Sequence, residues 1–411
     1  MGVVSRAIPT LLRGVSQSSD ALKQPDHADI QDNADSNPVL GLTKRSGLNF
    51  ITTLSNSTLG NVHIQTINRD TTEQYVAVFS DGNVKVYELD GTEKNVNKPD
   101  GTTYLNTSSP RSVIKTVTIA DFTFVVNTSI VSAMDSTLSA GTDTKAIVFI
   151  NQATANTTYS VTVDGVTVTD NTSGDNPLST DTIAADIKSG LDSGLSGFTI
   201  ERNGPVLYIR KDDGSDFSID GSDTQGDTKM TIIKDSVQRF TDLPTVSPNG
   251  YVVEIKGDED TNFDNYYVKF VTNNGGTFEE GQWEETVKAG INFKFDYATM
   301  PHVLVRQADG NFRFAKVDGD SYTVSGQTYT LPKWGERTAG DLESAPNPSF
   351  IGRNINNVFF FRNRLGFLAG DNVILSAVSE FFNFFPETVI SVLDSYPIDV
   401  AASHTKVAIL K

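Results

Sequence analysis

The residues between 216 and 227 combine the spacing and side-chain types of a calcium-binding loop. Asp216, Ser218 and Asp220 fall at positions 1, 3 and 5 of a twelve-residue pattern, with Gly221 at position 6 and Asp227 at position 12. Such loops bind Ca²⁺ through oxygens at the odd positions, turn at the glycine and close on a bidentate Glu between two helices. Here the last position is Asp and no helical pattern flanks the segment. Calcium binding is therefore one hypothesis, and we assign no metal, cofactor or catalytic site.

Acidic runs elsewhere could supply the acid and nucleophile of a glycosidase. They are Asp258 with Glu259 and Asp260, Glu279 with Glu280, and Glu284 with Glu285. Neighbouring residues of a β-strand point to opposite faces, so a doublet alone makes a poor catalytic pair. We predict that these runs lie in solvated loops.

The side chains most used in catalysis are scarce. The chain has no cysteine and four histidines, which are His27, His63, His302 and His404. None of these histidines has a zinc-protease spacing, and the sequence lacks a phosphate-binding loop, a dinucleotide-type glycine pattern and a nucleophile elbow. His302 follows Pro301 in a β-type run, so we predict a packing or surface role for it. The sequence thus predicts no enzyme activity and no cofactor.

Length and charge limit the class of protein. At 411 residues the chain suits two or three domains of about 150 residues each. The 33 Lys and Arg against 51 Asp and Glu give a net charge of −18, which excludes a nucleic-acid-binding surface built on bulk positive charge. Early apolar runs are too short for a signal peptide, and no run approaches the ~20 residues of a membrane span. We predict a globular protein made in the cytoplasm, with no membrane span.

The elements that must position these residues are mainly β-strands. Short β-type runs at 62–67, 75–79 and 84–89 predict antiparallel hairpins, the last two joined by a turn at 81–83. Runs at 358–361, 365–369 and 373–376 predict a three-stranded meander, the unit from which propeller blades are built. The predicted fold is mainly β, with multidomain antiparallel β sheets, one small α+β insert and the first strands of a β-propeller.

One helix interrupts the strands. Ser179 or Thr180 can cap it, and an apolar stripe follows at Ile183, Ile187 and Leu191, extending to Leu195. Strand patterns on both sides of this helix indicate the α+β insert.

Shifts in composition divide the chain into five predicted segments. They are an extended N-terminal assembly arm at 1–49, an antiparallel β domain at 50–140, an α+β insert domain at 141–240, a β-rich domain at 241–345 and the start of a β-propeller-like domain at 346–411. The sequence ends on the apolar residues 407–410 and Lys411 with no turn or polar tail after them, so we expect a longer natural protein.

Motifs spread over most of the chain resemble a known family. The opening block contains Gly14, Val15, Ser16, Gln17, Asp20, Pro25, Asp26, Gln31, Asn33, Gly41, Leu42, Lys44 and Arg45. Further blocks lie at 68–79, 117–127, 248–251 and 300–312, and the most specific lies at 346–376, with Phe-Phe-Phe-Arg-Asn-Arg-Leu-Gly at 359–366. These blocks are similar to the tail tubular protein B, or nozzle, family of short-tailed phages, the podoviruses.

The resemblance implies a structural component of the virion at the distal part of the tail. It implies a homo-hexamer below the adaptor ring, which is formed by tail tubular protein A. It also implies that the ring encloses the DNA ejection channel without binding the viral DNA specifically, and that a tail fibre protein docks nearby. Two alternatives stay open at this point: a tail-associated glycan-binding or depolymerase module, and a calcium-dependent adhesin.

Overall fold

Antiparallel β-strands make up most of the computed structural model, which describes residues 11–55, 59–141, 144–174, 178–257 and 265–402. The chain divides into two units, residues 1–56 and 57–411. We call the first the N-terminal unit and the second the body. The prediction of a mainly β protein with several antiparallel sheets is confirmed.

The N-terminal unit is held by local hydrogen bonds. Strands β1 (Ala34–Asn37) and β2 (Gly41–Lys44) form an antiparallel hairpin. The Asn37 side chain closes its turn by accepting hydrogen bonds from the Val39 and Leu40 amides at 2.8 and 3.1 Å. No apolar side chain among residues 11–55 is buried, so this unit has no hydrophobic core within its described part.

The body contains short strands with two α-helices among its described residues. Up to residue 140 these are β3 (His63–Asn68), β4 (Gln74–Ser80), β5 (Asn83–Glu88), β6 (Glu93–Lys94), β7 (Val96–Asn97), α1 (Pro110–Val113), β8 (Ile114–Ile119) and β9 (Phe122–Asn127). Next come β10 (Lys145–Ile150), β11 (Thr158–Val163), β12 (Val166–Asn171), α2 (Thr180–Gly194), β13 (Phe198–Asn203), β14 (Val206–Lys211), β15 (Ile219–Asp223) and β16 (Met230–Ile233). After these come β17 (Ser236–Val237), β18 (Val246–Pro248), β19 (Val252–Ile255), β20 (Tyr266–Thr272), β21 (Phe278–Thr286), β22 (His302–Arg306), β23 (Phe312–Ala315), β24 (Ser321–Val324) and β25 (Gln327–Thr330). The last are β26 (Asn357–Phe361), β27 (Arg364–Ala369), β28 (Asn372–Leu375) and β29 (Ile398–Ala401).

A five-stranded sheet with the order β7-β23-β22-β9-β8 lies at the centre of the body, and we call it the central sheet. Its β9–β22 register places His302 opposite Val125 and Val305 opposite Phe122. Strands from the predicted 50–140 and 241–345 segments therefore pair within one sheet. The limits of the five segments stay a prediction.

Hydrophobic side chains cover both faces of the central sheet. On one face, Leu304 and Phe314 pack against the sheet β3-β4-β5-β6, which contributes Phe79 and Val86. On the other face lies an aromatic cluster that includes Phe124, Trp334, Phe350, Phe367 and Phe384. Because side chains alternate between faces along a strand, β9, β22 and β23 contribute to both cores.

The α+β insert forms around α2, as the apolar stripe predicts. The Ser179 hydroxyl caps the helix by accepting a hydrogen bond from the Thr182 amide at 3.1 Å, and Ile183, Ile187 and Leu191 are fully buried. Gly190 lets the helix approach β12, because a Cβ there would lie 2.3 Å from a Val168 methyl. The predicted cap and stripe are thus confirmed.

Four antiparallel strands, in the order β26-β27-β28-β29, form the last described sheet. It contains the predicted three-stranded meander and adds β29. A propeller requires several such blades around one axis, so the propeller stays a prediction. Residues 407–411 lie outside the described residues.

Two tight hairpins provide a stability test. Ala120 opens the β8–β9 turn with φ +52° and Gly370 opens the β27–β28 turn with φ +60°, and Asp follows each of them. An L-residue in the left-handed region costs ~1–2 kcal/mol, which exceeds the ~0.5–1 kcal/mol entropy cost of glycine. We predict that Ala120→Gly raises the free energy of unfolding by about 0.5 kcal/mol, measured by denaturant titration.

The matched control is Gly370→Ala. The new Cβ would meet Arg353 Nη1 at 2.6 Å and adopt a positive φ, so we expect the free energy of unfolding to fall. A loss of stability in Ala120→Gly would contradict the account of the turn.

Candidate assembly surfaces and predicted ligand sites

The structure places the residues of the calcium pattern with separate partners. Asp216 pairs with Lys234 and Ser218 donates its amide to Asp164 at 2.9 Å. Asp220 lies in β15, where its carboxylate accepts the Gly221 amide. The hydrogen bond from Lys234 is the main cause that lowers the pKa of the Asp216 carboxyl. Among the described residues, no group of three or more His, Asp or Glu side chains is placed to hold a metal ion.

The turn between β15 and β16 is organised by Asp223, a residue that the calcium pattern does not use. Its Oδ1 accepts the Gln225 and Asp227 amides at 2.8 and 3.1 Å, and its Oδ2 accepts the Lys229 amide at 2.7 Å. Asp227, at position 12 of the pattern, in turn accepts the Asp223 amide. Calcium binding stays a prediction, and heat released on adding calcium to a chelated sample would support it.

Two of the acidic runs lie on one strand rather than in loops. Glu279, Glu280, Glu284 and Glu285 all belong to β21. Glu279 accepts the Gly276 amide at 2.9 Å, and Glu285 accepts the Val389 amide at 2.8 Å and the Thr388 hydroxyl. Glu279 therefore orders its own turn and Glu285 holds the chain near residue 388. Asp258, Glu259 and Asp260 lie outside the described residues.

His302 lies on β22 of the central sheet, and its side chain is buried. Its ring stacks on Tyr104 with centroids 3.9 Å apart, and its Nδ1 donates to the Met300 carbonyl at 3.0 Å. Burial lowers the pKa of His302 to about 4. This placement agrees with the predicted packing role. His63 contacts the Thr116 hydroxyl at 2.7 Å, His27 accepts the Gln24 amide, and His404 lies outside the described residues.

Basic residues in two regions of the chain differ in their surroundings. Lys44 and Arg45 are exposed in the N-terminal unit. Arg353 pairs with Asp371 at 3.4 Å. Arg364 is buried and donates to the carbonyl oxygens of Ser376, Asp394 and Tyr396, so it holds the segment before β29 in place.

Apolar side chains of the N-terminal unit are exposed in unusual number. The exposed ones are Val15, Leu22, Ile30, Val39, Leu40, Leu42, Leu48, Phe50, Ile51 and Leu54. Phe50 is 82% exposed and Leu48 is 89% exposed. Exposed apolar side chains in such number make this unit a candidate interaction surface.

The outer edge of the last sheet is the second candidate surface. β29 has its backbone paired only with β28 among the described strands, and its Ile398 and Val400 side chains are exposed. Ile390, Val392 and Leu393, in the preceding segment, are exposed too. An unpaired strand edge beside apolar side chains is a ready template for another chain.

No helix in the described part of the chain is both long and apolar enough to cross a membrane.

Comparison with known proteins gives two findings. The family model for the bacteriophage nozzle protein matches residues 1–411. The tail tubular protein gp12 of Escherichia phage T7 is 35% identical to this chain over 426 residues, which cover 100% of the chain and 51% of gp12. The chain thus spans about half the length of this curated relative.

Burial of His302 predicts a specific acid sensitivity. Its folded-state pKa of about 4 lies below the unfolded value of ~6.5, so protons bind more tightly to the unfolded chain. The stability from the neutral ring is complete above pH ~6.5 and is lost as the pH falls towards 4, by roughly 3 kcal/mol. We predict that His302→Gln flattens the free energy of unfolding against pH by about this amount. An unchanged slope between pH 7 and pH 4 would contradict this.

Proposed function

The chain belongs to the bacteriophage nozzle protein family, and from this we propose that it forms a hexameric nozzle at the distal end of a short-tailed phage tail. The family consists of structural tail proteins, so this is a structural tail protein of a virion. The hexamer, its place below an adaptor ring, the DNA channel inside it and a docked tail fibre protein are our proposal. Synthesis in the host cytoplasm before assembly belongs to the same proposal.

The observation that carries the proposal is the exposed apolar surface of the N-terminal unit. Ordering a chain segment costs roughly 1–2 kcal/mol per residue, and burial of apolar surface has to offset this. The described part of this unit buries no apolar side chain of its own, and Leu48, Phe50 and Ile51 are exposed in succession. A neighbouring subunit or the adaptor ring protein would supply the missing contacts. The N-terminal unit is thus an assembly element.

Ring closure by identical copies requires a heterologous interface, in which two different surfaces of each copy meet. The edge strand β29 offers one such surface, since among the described strands its backbone pairs only with β28 and its Ile398 and Val400 side chains are exposed. The exposed side chains of the N-terminal unit offer a surface of different shape and chemistry. Two different interaction surfaces on one chain favour a ring, in which unlike surfaces meet, over a two-fold dimer, in which the same surface of each copy meets.

The acidic charge suits a channel for DNA in transit. Six copies of −18 would give −108, and a lumen with negative charge repels phosphates instead of holding them. We predict that the assembled protein does not bind duplex DNA at physiological salt, as measured by fluorescence anisotropy. A dissociation constant in the micromolar range or tighter would contradict the proposed sliding channel.

Deleting residues 1–56 tests the proposed assembly. We predict that the wild-type protein forms a closed ring of six in native mass measurement and that the deletion variant stays a monomer. The β signal of the deletion variant in far-UV circular dichroism should persist, because both cores on the central sheet lie within the body. A control variant with Asp20→Asn and Asp29→Asn keeps the apolar side chains and should still form rings.

A monomeric wild-type protein would contradict the ring, and a deletion variant that still forms rings would contradict the role of the N-terminal unit. Loss of the β signal would show instead that this unit is needed for folding.

A further inference from the structure

The last sheet, β26-β27-β28-β29, has one face that packs into a core and one that does not. Val358, Phe367 and Ile374 lie opposite one another in its register, and all three belong to the aromatic cluster. Side chains alternate between the two faces of a strand, so the residues before and after these three point to the opposite side of the sheet. We call that side the outer face.

The outer face is apolar across all four strands. The cross-strand register arranges its residues in two rows, which are Phe359, Gly366, Leu375 and Ile398, and then Asn357, Leu368, Val373 and Val400. None of them belongs to a hydrophobic core of the described residues. Ile398 and Val400, at the β29 edge, are exposed. An antiparallel sheet face in water normally carries polar side chains, so this face has the composition of a buried one.

Another edge strand of the body shows the solvated pattern. β12 pairs only with β11 among the described strands, and its exposed side chains are Thr167, Thr169 and Asn171. Polar side chains of this kind allow an edge strand to remain in contact with water. The outer face beside β29 lacks them, which indicates that another chain segment covers it.

The β29 edge also offers backbone hydrogen-bonding groups. In an antiparallel pair every second residue directs its N–H and C=O groups to the partner strand, so the other residues of β29 direct theirs away from β28. Within the described ranges, no backbone or side-chain group bonds to them. A strand added at this edge would gain backbone hydrogen bonds and cover part of the outer face at the same time.

Residues 46–54 of the N-terminal unit have the properties of such an added strand. This segment follows β2, lies outside every strand and makes no backbone hydrogen bond to a described residue. Leu48, Phe50 and Leu54 are exposed and lie two and four positions apart, so in an extended strand they would share one face. The segment has no proline, and the chain has no charged residue from 46 to 68.

The charges beside the two surfaces are complementary. Lys44 and Arg45 directly precede the segment, are exposed and have no ion pair in the part of the chain that the structure describes. Residues 365–402, which include β29, contain no lysine or arginine and five carboxylates, which are Asp371, Glu380, Glu387, Asp394 and Asp399. Opposite charges that flank an apolar contact orient the two partners and favour this pairing over others.

We propose that residues 46–54 of one copy add as a strand to the open edge of β29 in the next copy, with Leu48, Phe50 and Leu54 on its outer face. This inference rests on the proposed ring and names the two surfaces that close it. The contact is heterologous, because each copy gives one segment and receives another. An uncharged segment also adds no charge repulsion to a contact between copies that each carry −18.

Disulfide cross-linking tests the contact directly, because the chain has no cysteine of its own. Subunits with Val400→Cys would be mixed, before assembly and oxidation, with subunits that carry Leu48→Cys, Phe50→Cys, Thr52→Cys or Leu54→Cys. Residues directly opposite each other in paired strands are close enough for a disulfide. We expect a covalent dimer from the position among these four that lies opposite Val400.

Two controls make this result specific. Asn49→Cys, Ile51→Cys and Thr53→Cys place the thiol on the opposite face of the added strand and should give no dimer with Val400→Cys. Thr169→Cys, on the solvated edge strand β12, replaces Val400→Cys as the acceptor and should give no dimer with any position of the segment.

Ring formation gives the second readout. Val400→Lys places a charge on the outer face at a side chain that is exposed in the free subunit, so we expect unchanged unfolding by denaturant. We expect ring formation to be weaker by at least about tenfold in concentration-dependent native mass measurement, the effect of losing the burial of one valine side chain. Thr169→Lys, the matched control on β12, should change neither measurement.

Each other outcome overturns the inference. If no position cross-links although the wild type forms rings of six, the ring closes through other surfaces and the proposed function stands. If a double variant with Phe50→Cys and Val400→Cys forms its disulfide only within one chain, the segment pairs with its own sheet. If Val400→Lys unfolds more easily than Thr169→Lys, the outer face is covered within the subunit. If the wild type forms neither rings nor cross-links, the proposed function and this inference both fail.

Discussion

The pairing of β9 with β22 is the contact on which the rest of the body depends. It joins residues 122–125 to residues 302–305, about 180 positions apart in the chain. Through it Val303 and Val305 reach the aromatic core while Leu304 reaches the core shared with β3–β6. Burial of both faces fixes the register of the strands in the central sheet. A slip of one residue would move the side chains of each core to the opposite face.

This arrangement separates the packed cores of the body from two regions that are incomplete alone, the N-terminal unit and the outer edge of β29. The body places large aromatic side chains such as Trp334 and Phe350 in full burial. The N-terminal unit and the β29 edge leave apolar side chains and backbone groups unpaired in the described chain. Contacts formed on assembly can supply the stabilisation that these regions lack in the isolated subunit. This is the expected pattern for a structural part of a larger particle.

Local patterns in the sequence predict local structure well. The α2 cap at Ser179 and the stripe through Ile183, Ile187 and Leu191 lie as predicted, because both depend on spacing within one helix. The hairpin between β4 and β5 and the meander from β26 to β28 follow from strand runs on either side of short turns. The prediction that Glu279, Glu280, Glu284 and Glu285 lie in solvated loops was wrong. They lie on β21, where Glu280, Gln282 and Glu284 form the exposed face of the strand.

Other features depend on contacts between distant residues, and no local pattern indicates them. The β9–β22 pairing is one, because many strand runs of similar composition compete as partners. The burial of Arg313 on β23 is a second such feature. Phe312 and Phe314 flank this arginine, and this alternation is typical of a strand with one solvated face. Only the position of Tyr322 shows that this face is covered. The turn-type residues after Asp223 indicate a turn that this side chain could organise. The calcium pattern does not include Asp223, so the pattern did not identify it.

The central claim is that this chain forms a ring in the tail, and electron microscopy of intact phage tests it most directly. Particles would be labelled with an antibody raised against body residues 59–340 and viewed from the side. The account predicts label at the distal end of the tail, on every tail, with up to six sites arranged around its axis. Particles that carry no label, although the same antibody binds the purified chain, would contradict it.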